Sequence, residues 1–405
     1  MKYVILIGDG MADRPCPALG GLTPLAAAPT PHLDFMARRG LLGLAQTVPE
    51  GLSPSSDVAT LSLLGYQPQG LITGRAPLEA AGQGLDIKPG DLVFRLNLIT
   101  VEEEGGALLM RDHAADNIST QEARELLAGL ERELPLTARQ SLHAGVSFRH
   151  ILIWPDPAPV QAPSHPPHDY RDRDLTPLLN APEARETAAL VRASRPILEK
   201  HPVNARRRAA GRLPANCLWL WGQGRKPALK TFQERWGLTG AAVSAVDLIK
   251  GLGALTGLSA PDVPGATGWV DTNYKGKVEA ALEALTRLDL AVIHLEAPDE
   301  ASHRGDLDLK MRAITDLDAQ VAGPLLRALP NFGDYRLLVA SDHHTPLELK
   351  THSADPVPFL IYGRPPAAPP SGRPFSEAAA AAAGLMAGAD LGRLFFGPER
   401  DSSVP

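Results

Sequence analysis

Apolar residues recur along this chain in two rhythms, and the alternation between them predicts its elements. The opening run YVILI, residues 3–7, is continuous and bounded by Gly8 and Asp9, the signature of a buried strand. TPHLDFMARRG follows with helical spacing, Thr30 at the cap position, Pro31 at the first helical position and Gly40 at the stop. A second helix is predicted from Ser56 to Gly65. From there to about residue 180 the texture changes, and LVFRLNLIT and VSFRHILIW read as strands. NISTQEARELLAGL between them carries a capping box, Ser119 with Glu122.

Beyond the Pro-, His- and Asp-rich stretch 155–182, read as a solvated linker, strands and helices alternate. CLWLWG leads to ALKTFQERWG, AAVSAV to DLIKGLGAL, and KVEAALEALTRL to LAVIHLE. A long helix over Leu309–Leu329 leads to YRLLVAS, and the alanine-rich FSEAAAAAAGLMAGA reads as a final packed helix. Such alternation predicts a largely parallel α/β sheet. The expected organisation is a discontinuous domain, residues 1–70 with 183–405, and a smaller α+β domain, residues 71–182, inserted as a cap. No internal repeat is visible.

The 405 residues are too many for one comfortable core, which agrees with two domains. A formal charge of −6 argues against a nucleic-acid partner. Cys16 and Cys217 stand in no metal-binding spacing and predict no disulfide framework. No segment reads as a signal peptide or membrane span, so a cytoplasmic protein without a membrane partner is expected.

Three predicted strands end in aspartate: VILIGDG at Asp9, AVIHLEAPDEASH at Asp299 and LLVASDHH at Asp342. The crevice beyond strand ends is where open α/β sheets bind ligands. His303 lies one helical turn after Asp299, His343 adjoins Asp342, and His352 returns after a short loop. Singly, each aspartate reads as a turn former or cap and each histidine as structural. Jointly, Asp9, Asp299, His303, Asp342, His343 and His352 form an oxygen and nitrogen donor set suited to two divalent ions. Mn²⁺ is expected, with Zn²⁺, Co²⁺ or Mg²⁺ as alternatives. Ser56, at a helix start next to free backbone N–H groups, is the expected nucleophile, with Ser53 and Ser55 as positional rivals. Gly8–Asp13 lacks the third glycine of a dinucleotide fingerprint, and no P-loop motif exists.

Together these residues resemble the alkaline phosphatase superfamily, and more closely its cofactor-independent phosphoglycerate mutases of archaeal type. The resemblance is carried by ILIGDGMADRP, SPSSDVATLSLLGYQP, TGRAPLEAAGQGL, FRLNLIT, SFRHILIW, PPHDY, WLWGQGRKP, DTNYKGKVEAAL, APDEASHRGD, SDHHTP and THSADPVPF. It implies an alkaline-phosphatase-like, mostly parallel sheet flanked by helices. It also implies transfer of the phosphoryl group of 3-phosphoglycerate to Ser56 and its return to the 2-hydroxyl, without 2,3-bisphosphoglycerate. Asp9, Ser56, Asp342 and His343 would surround one metal ion, and Asp299, His303 and His352 the other. Arg75, Arg95 and Arg149 in the insert would grip phosphate and carboxylate, and Lys277 would add a point charge. His150 and His168 are the candidates for moving a proton between the glycerate hydroxyls. His113 in RDHAAD departs from the family, which usually has a small or aromatic residue there.

Rival readings use the same centre: a homoserine kinase-like phosphotransferase, or a phosphomonoesterase in which water takes the phosphoryl group. An inserted cap that excludes water favours the mutase. A degenerate binding protein would be expected to lack ligands, and all six donors are present. Homo-oligomerisation is left open.

Overall fold

The computed structural model describes residues 1–137, 139–156, 163–366 and 368–400. Part of the expected linker, residues 157–162, therefore lies outside the described residues. The chain forms two compact units, Met1–Ile72 with Leu229–Pro405, and Thr73–Ala228. Its strands, in chain order, are β1 (Lys2–Gly8), β2 (Leu41–Gln46), β3 (Leu92–Glu104), β4 (Ala107–Asp112), β5 (Ser141–Ala144), β6 (Arg149–Trp154), β7 (Cys217–Arg225), β8 (Gly240–Val243), β9 (Leu290–Leu295), β10 (Tyr335–Ala340), β11 (Val357–Arg364) and β12 (Leu385–Ala387).

The first unit holds a seven-stranded sheet in the order β12-β2-β11-β10-β1-β9-β8. Only β11 runs against its neighbours; the β10-β1-β9-β8 segment is parallel throughout. Continuous apolar runs build this segment because helices cover both faces. Val4 to Ile7 of β1 are fully buried, as are Leu337 to Ala340 of β10. Burial of each such side chain contributes about 1.5–3 kcal/mol. The register sets Ile7 opposite Ala340 and Gly8 opposite Leu295, so β1, β9 and β10 end level with one another. Their three exits are thereby neighbours.

The second unit holds an antiparallel sheet on the long strand β3, which pairs with β4, β6 and β7. The helix Thr120–Glu133 begins with the predicted capping box. This unit extends to residue 228, whereas the sequence reading closed the insert at 182. The difference lies in β7: its apolar run CLWLW looks like a buried parallel strand, yet it pairs antiparallel with β3. The helix Arg185–Lys200 packs in the core of the same unit through Ala188, Val191 and Leu198.

Two helices differ from expectation. The alanine-rich run stops as a helix at Ala381, turns at Gly384 (φ +124°) and ends as β12, paired with β2. The predicted 309–329 helix contains a π-helical turn at Asp318–Ala322, where the Asp318 carboxylate accepts hydrogen bonds from the N–H groups of His32 and Leu33. Both cysteines are unpaired, and among the described residues no helix is long and apolar enough to cross a membrane.

Candidate active site

Beyond the level ends of β1, β9 and β10, six of the predicted donors converge. Asp9 follows β1 directly, Asp342 lies two residues beyond β10, and Asp299 sits in the first turn of the helix Ala297–Arg304 that leaves β9. Gly10 makes this crowding feasible: its φ is +58°, and a Cβ there would lie 2.7 Å from Asp299 Oδ1. Its N–H donates to Asp342 Oδ1 at 3.1 Å.

Asp9 and Asp342 share a peculiarity. Each carboxylate has one oxygen held by the protein and the other, Oδ1 of Asp9 and Oδ2 of Asp342, buried without a hydrogen-bond partner among the described residues. Native structures satisfy nearly all buried polar atoms, so orphaned carboxylate oxygens require a cause. His343 Nε2 lies 3.5 Å from the first and 3.4 Å from the second. Burial, reinforced by Asp342 and Asp299, pushes the Asp9 carboxyl well above the usual carboxylate range. Two carboxylates and an imidazole lone pair packed this closely fit a divalent cation between them.

A second group is formed by Asp299, His343 and His352, with His303 beside it. His303 Nε2 is 3.1 Å from Asp299 Oδ2 and 3.1 Å from His352 Nε2. His303 donates its Nδ1–H to the Lys350 carbonyl at 2.9 Å, and His352 donates Nδ1–H to that of Pro54 at 3.4 Å. Two neutral rings so held would face each other with lone pairs, which only a cation or a proton can relieve. Without a metal the proton serves: hydrogen bonding to Asp299 raises the His303 pKa to about 9. Burial opposes ionisation of Asp299, yet the bonds from His303 and His352 hold it well below its ordinary range. This donor set fits a cation as well.

Ser56 opens the helix Ser56–Leu63, and its Oγ lies 3.2 Å from His343 Nε2. Ser55 stands before it as the N-cap, although its side chain makes no capping bond. Helix polarity thus places partial positive charge behind the hydroxyl.

Three nearby residues carried no assigned role in the sequence. His294, mid-strand in β9, is buried and contacts Asp9 Oδ2 at 3.0 Å. Thr345 bridges His343 and Asp299. Glu296 is pushed up to about 8 by burial and by Glu300 and Asp299. Lys277 is buried beside them, donating to the His294 carbonyl at 3.1 Å, and burial lowers its pKa to about 8. The IHLE run and the SDHHTP loop contained these residues, but no periodicity or spacing singled them out.

Within the second unit, Arg75, Arg95, Arg149 and His168 line one cavity of about 580 Å³, with Asn97, His113 and Trp221. Arg95 lies 3.9 Å over the Trp221 ring, and its Nε is 3.0 Å from Glu79. Arg149 lies 4.6 Å over Phe148. Stacked and paired guanidinium groups are pre-organised for planar anions. The His113 ring meets the rings of Phe148 and His168 edge-on. His150 does not line this cavity. It faces the interior, accepts a hydrogen bond from the Gly145 N–H at 3.1 Å, and burial lowers its pKa to about 4.

Fold and centre together define the class: an α/β protein with a mostly parallel sheet, flanking helices, an inserted α+β unit and a cluster of acidic and histidine side chains at the strand ends. Within that class the chain belongs to the 2,3-bisphosphoglycerate-independent phosphoglycerate mutase family. The family's model matches residues 37–204. The 2,3-bisphosphoglycerate-independent phosphoglycerate mutase of Methanothrix thermoacetophila is 47% identical over 365 residues, 90% of this chain and 91% of that one. The solved PH0037 protein of Pyrococcus horikoshii has a TM-score of 0.79 at 31% identity, covering 97% of this chain and 96% of its own. The cofactor-independent phosphoglycerate mutase of Thermoplasma acidophilum gives 0.67 at 29%, covering 98% and 99%.

Proposed function

We propose that this chain interconverts 3-phosphoglycerate and 2-phosphoglycerate through a phosphoserine at Ser56, without 2,3-bisphosphoglycerate. The observation that carries the reading is Ser56 Oγ within 3.2 Å of a histidine nitrogen that itself faces two orphaned carboxylate oxygens. Asp9, Ser56, Asp342 and His343 would hold one divalent ion, and Asp299, His303 and His352 another, with Mn²⁺ the ion we favour. Bound ions would supply a lowered hydroxyl pKa at Ser56 and charge neutralisation at the phosphoryl oxygens.

In the first step Ser56 Oγ forms a bond to phosphorus as the bond from phosphorus to the glycerate 3-oxygen breaks. In the second, the 2-oxygen of the retained glycerate bonds to phosphorus and the bond to Oγ breaks. Ser56 Oγ gives up its proton in the first step and regains one in the second, while one proton must reach the freed 3-oxygen and one must leave the 2-hydroxyl. We assign the exchange between the glycerate oxygens to His168, which lines the arginine cavity, and not to the interior His150. Arg75, Arg95 and Arg149 are assigned to the anionic groups of the substrate. Lys277, buried next to His294, is assigned a point charge near the metal donors. A cytoplasmic setting fits the two unpaired cysteines.

Acid quenching during turnover of 3-phosphoglycerate, followed by peptide mass spectrometry, tests this reading. Phosphate on Ser56, absent from Ser56→Ala, is the expected result. An active protein without phosphoserine, or one that places it elsewhere, would overturn the covalent route.

A further inference from the structure

We propose that Thr345 is a positioning residue whose hydroxyl fixes His343 as the Nδ1–H tautomer, aiming the Nε2 lone pair at Ser56 and the buried carboxylates. The inference deepens the metal-centre reading and rests on it for its purpose, although the tautomer itself is read separately.

For a neutral His343 ring the hydrogen-bond geometry admits one consistent arrangement. Thr345 Oγ1 donates to Asp299 Oδ1 at 2.6 Å. A hydroxyl carries one proton, so the same oxygen can only accept from His343 Nδ1, which lies 3.1 Å away. The ring proton is then on Nδ1, and Nε2 presents a lone pair to the Ser56 hydroxyl at 3.2 Å. One threonine thereby orders Ser56, His343 and Asp299 along a single line of hydrogen bonds. His343 belongs to both donor groups, so its orientation bears on both. An imidazole partner that fixes tautomer and ring angle is a recurrent need of metal centres.

The surroundings are built to hold this hydroxyl. Thr345 is fully buried. Its carbonyl accepts from Lys310 Nζ at 3.0 Å, and that buried ammonium is anchored on Asp13 Oδ2 at 2.7 Å. Opposite, Gly10 leaves the space: a Cβ there would lie 2.6 Å from Thr345 Oγ1.

Long-range ¹H–¹⁵N correlation spectra of the metal-free protein read the tautomer directly. The expected spectrum shows His343 protonated on Nδ1; a proton on Nε2 would overturn the proposal. Thr345→Ser should keep the tautomer and bind Zn²⁺ within about 3-fold of the parent by calorimetry. Thr345→Val should lose the preference and bind Zn²⁺ about 10–100-fold more weakly, the usual range for an outer-shell partner. A Val variant unchanged in both, or a Ser variant as weak as the Val variant, would also overturn it. Should the Val variant fail to fold, the parent spectrum and the Ser variant still decide. None of these readouts depends on which phosphate ester the enzyme turns over.

Discussion

His294 Nε2 lies 3.0 Å from Asp9 Oδ2, both side chains being almost wholly buried beneath the strand ends. Burial, aided by Lys277, lowers the His294 pKa to about 3, so the ring is neutral, and as the Nε2–H tautomer it donates to the carboxylate. Ser244 Oγ lies 3.4 Å from Nδ1 behind it. Asp9 is therefore held by one oxygen, with the other aimed at the donor cluster. His294→Ala should weaken Mn²⁺ binding about 10–100-fold, measured by titration of the metal-free protein. Unchanged affinity would show that Asp9 is oriented by something else.

Asp342→Asn removes an anion whose Oδ2, 3.4 Å from His343 Nε2, has no hydrogen bond among the described residues. Metal content and activity should fall together, activity by more than the roughly 100-fold typical of losing an outer-shell group. Full metal occupancy with lost activity would contradict the ligand role.

Among the cavity arginines, Arg149 gives the cleanest test of substrate recognition. Arg95 also pairs with Glu79 and stacks on Trp221, so its removal would disturb packing. Arg149 is exposed and lies over Phe148. A charge-assisted bond is worth about 1.5–3 kcal/mol, so Arg149→Ala should lower kcat/KM roughly 10- to 150-fold at unchanged thermal stability. An unaltered kcat/KM would remove Arg149 from the substrate's partners.

The interior position of His150 has a consequence for acid stability. Its folded pKa is about 4, against an ordinary value of 6.5 in the unfolded chain. Between those values the unfolded state binds the extra proton, so stability falls as pH drops from about 6.5 toward 4. The full effect of burying this imidazole is about 3 kcal/mol. Trp219 and Trp221 lie in the same unit and report its unfolding. His150→Leu should lower stability at pH 7, because the Gly145 N–H loses its acceptor, yet flatten the loss between pH 6.5 and 5. An equally steep acid limb in the variant would assign the effect to another group.

The centre was largely legible because its residues lie at strand exits, where local sequence determines direction. Asp9 after VILIG, Asp342 after LLVAS and the Asp299–His303 helical turn all emerge where their strands end level. His294 was hidden because a histidine inside an apolar strand looks like any other buried residue. Thr345 was hidden because its importance lies in a bond to Asp299, 46 positions away. The insert's second boundary was illegible for a related reason. Apolar content marks β7 as buried but cannot tell which sheet takes it, and its pairing with β3 is a long-range choice. His113, noted as a departure in sequence, proved to line the arginine cavity.

The central claim is tested most directly by incubating the metal-loaded protein with 3-phosphoglycerate and Mn²⁺, without 2,3-bisphosphoglycerate, and reading 2-phosphoglycerate through enolase. Metal-dependent turnover that disappears on chelation and in Ser56→Ala is the predicted result. No turnover from folded, metal-loaded protein would contradict it, and phosphorylation of homoserine from ATP by the same preparation would identify the rival chemistry.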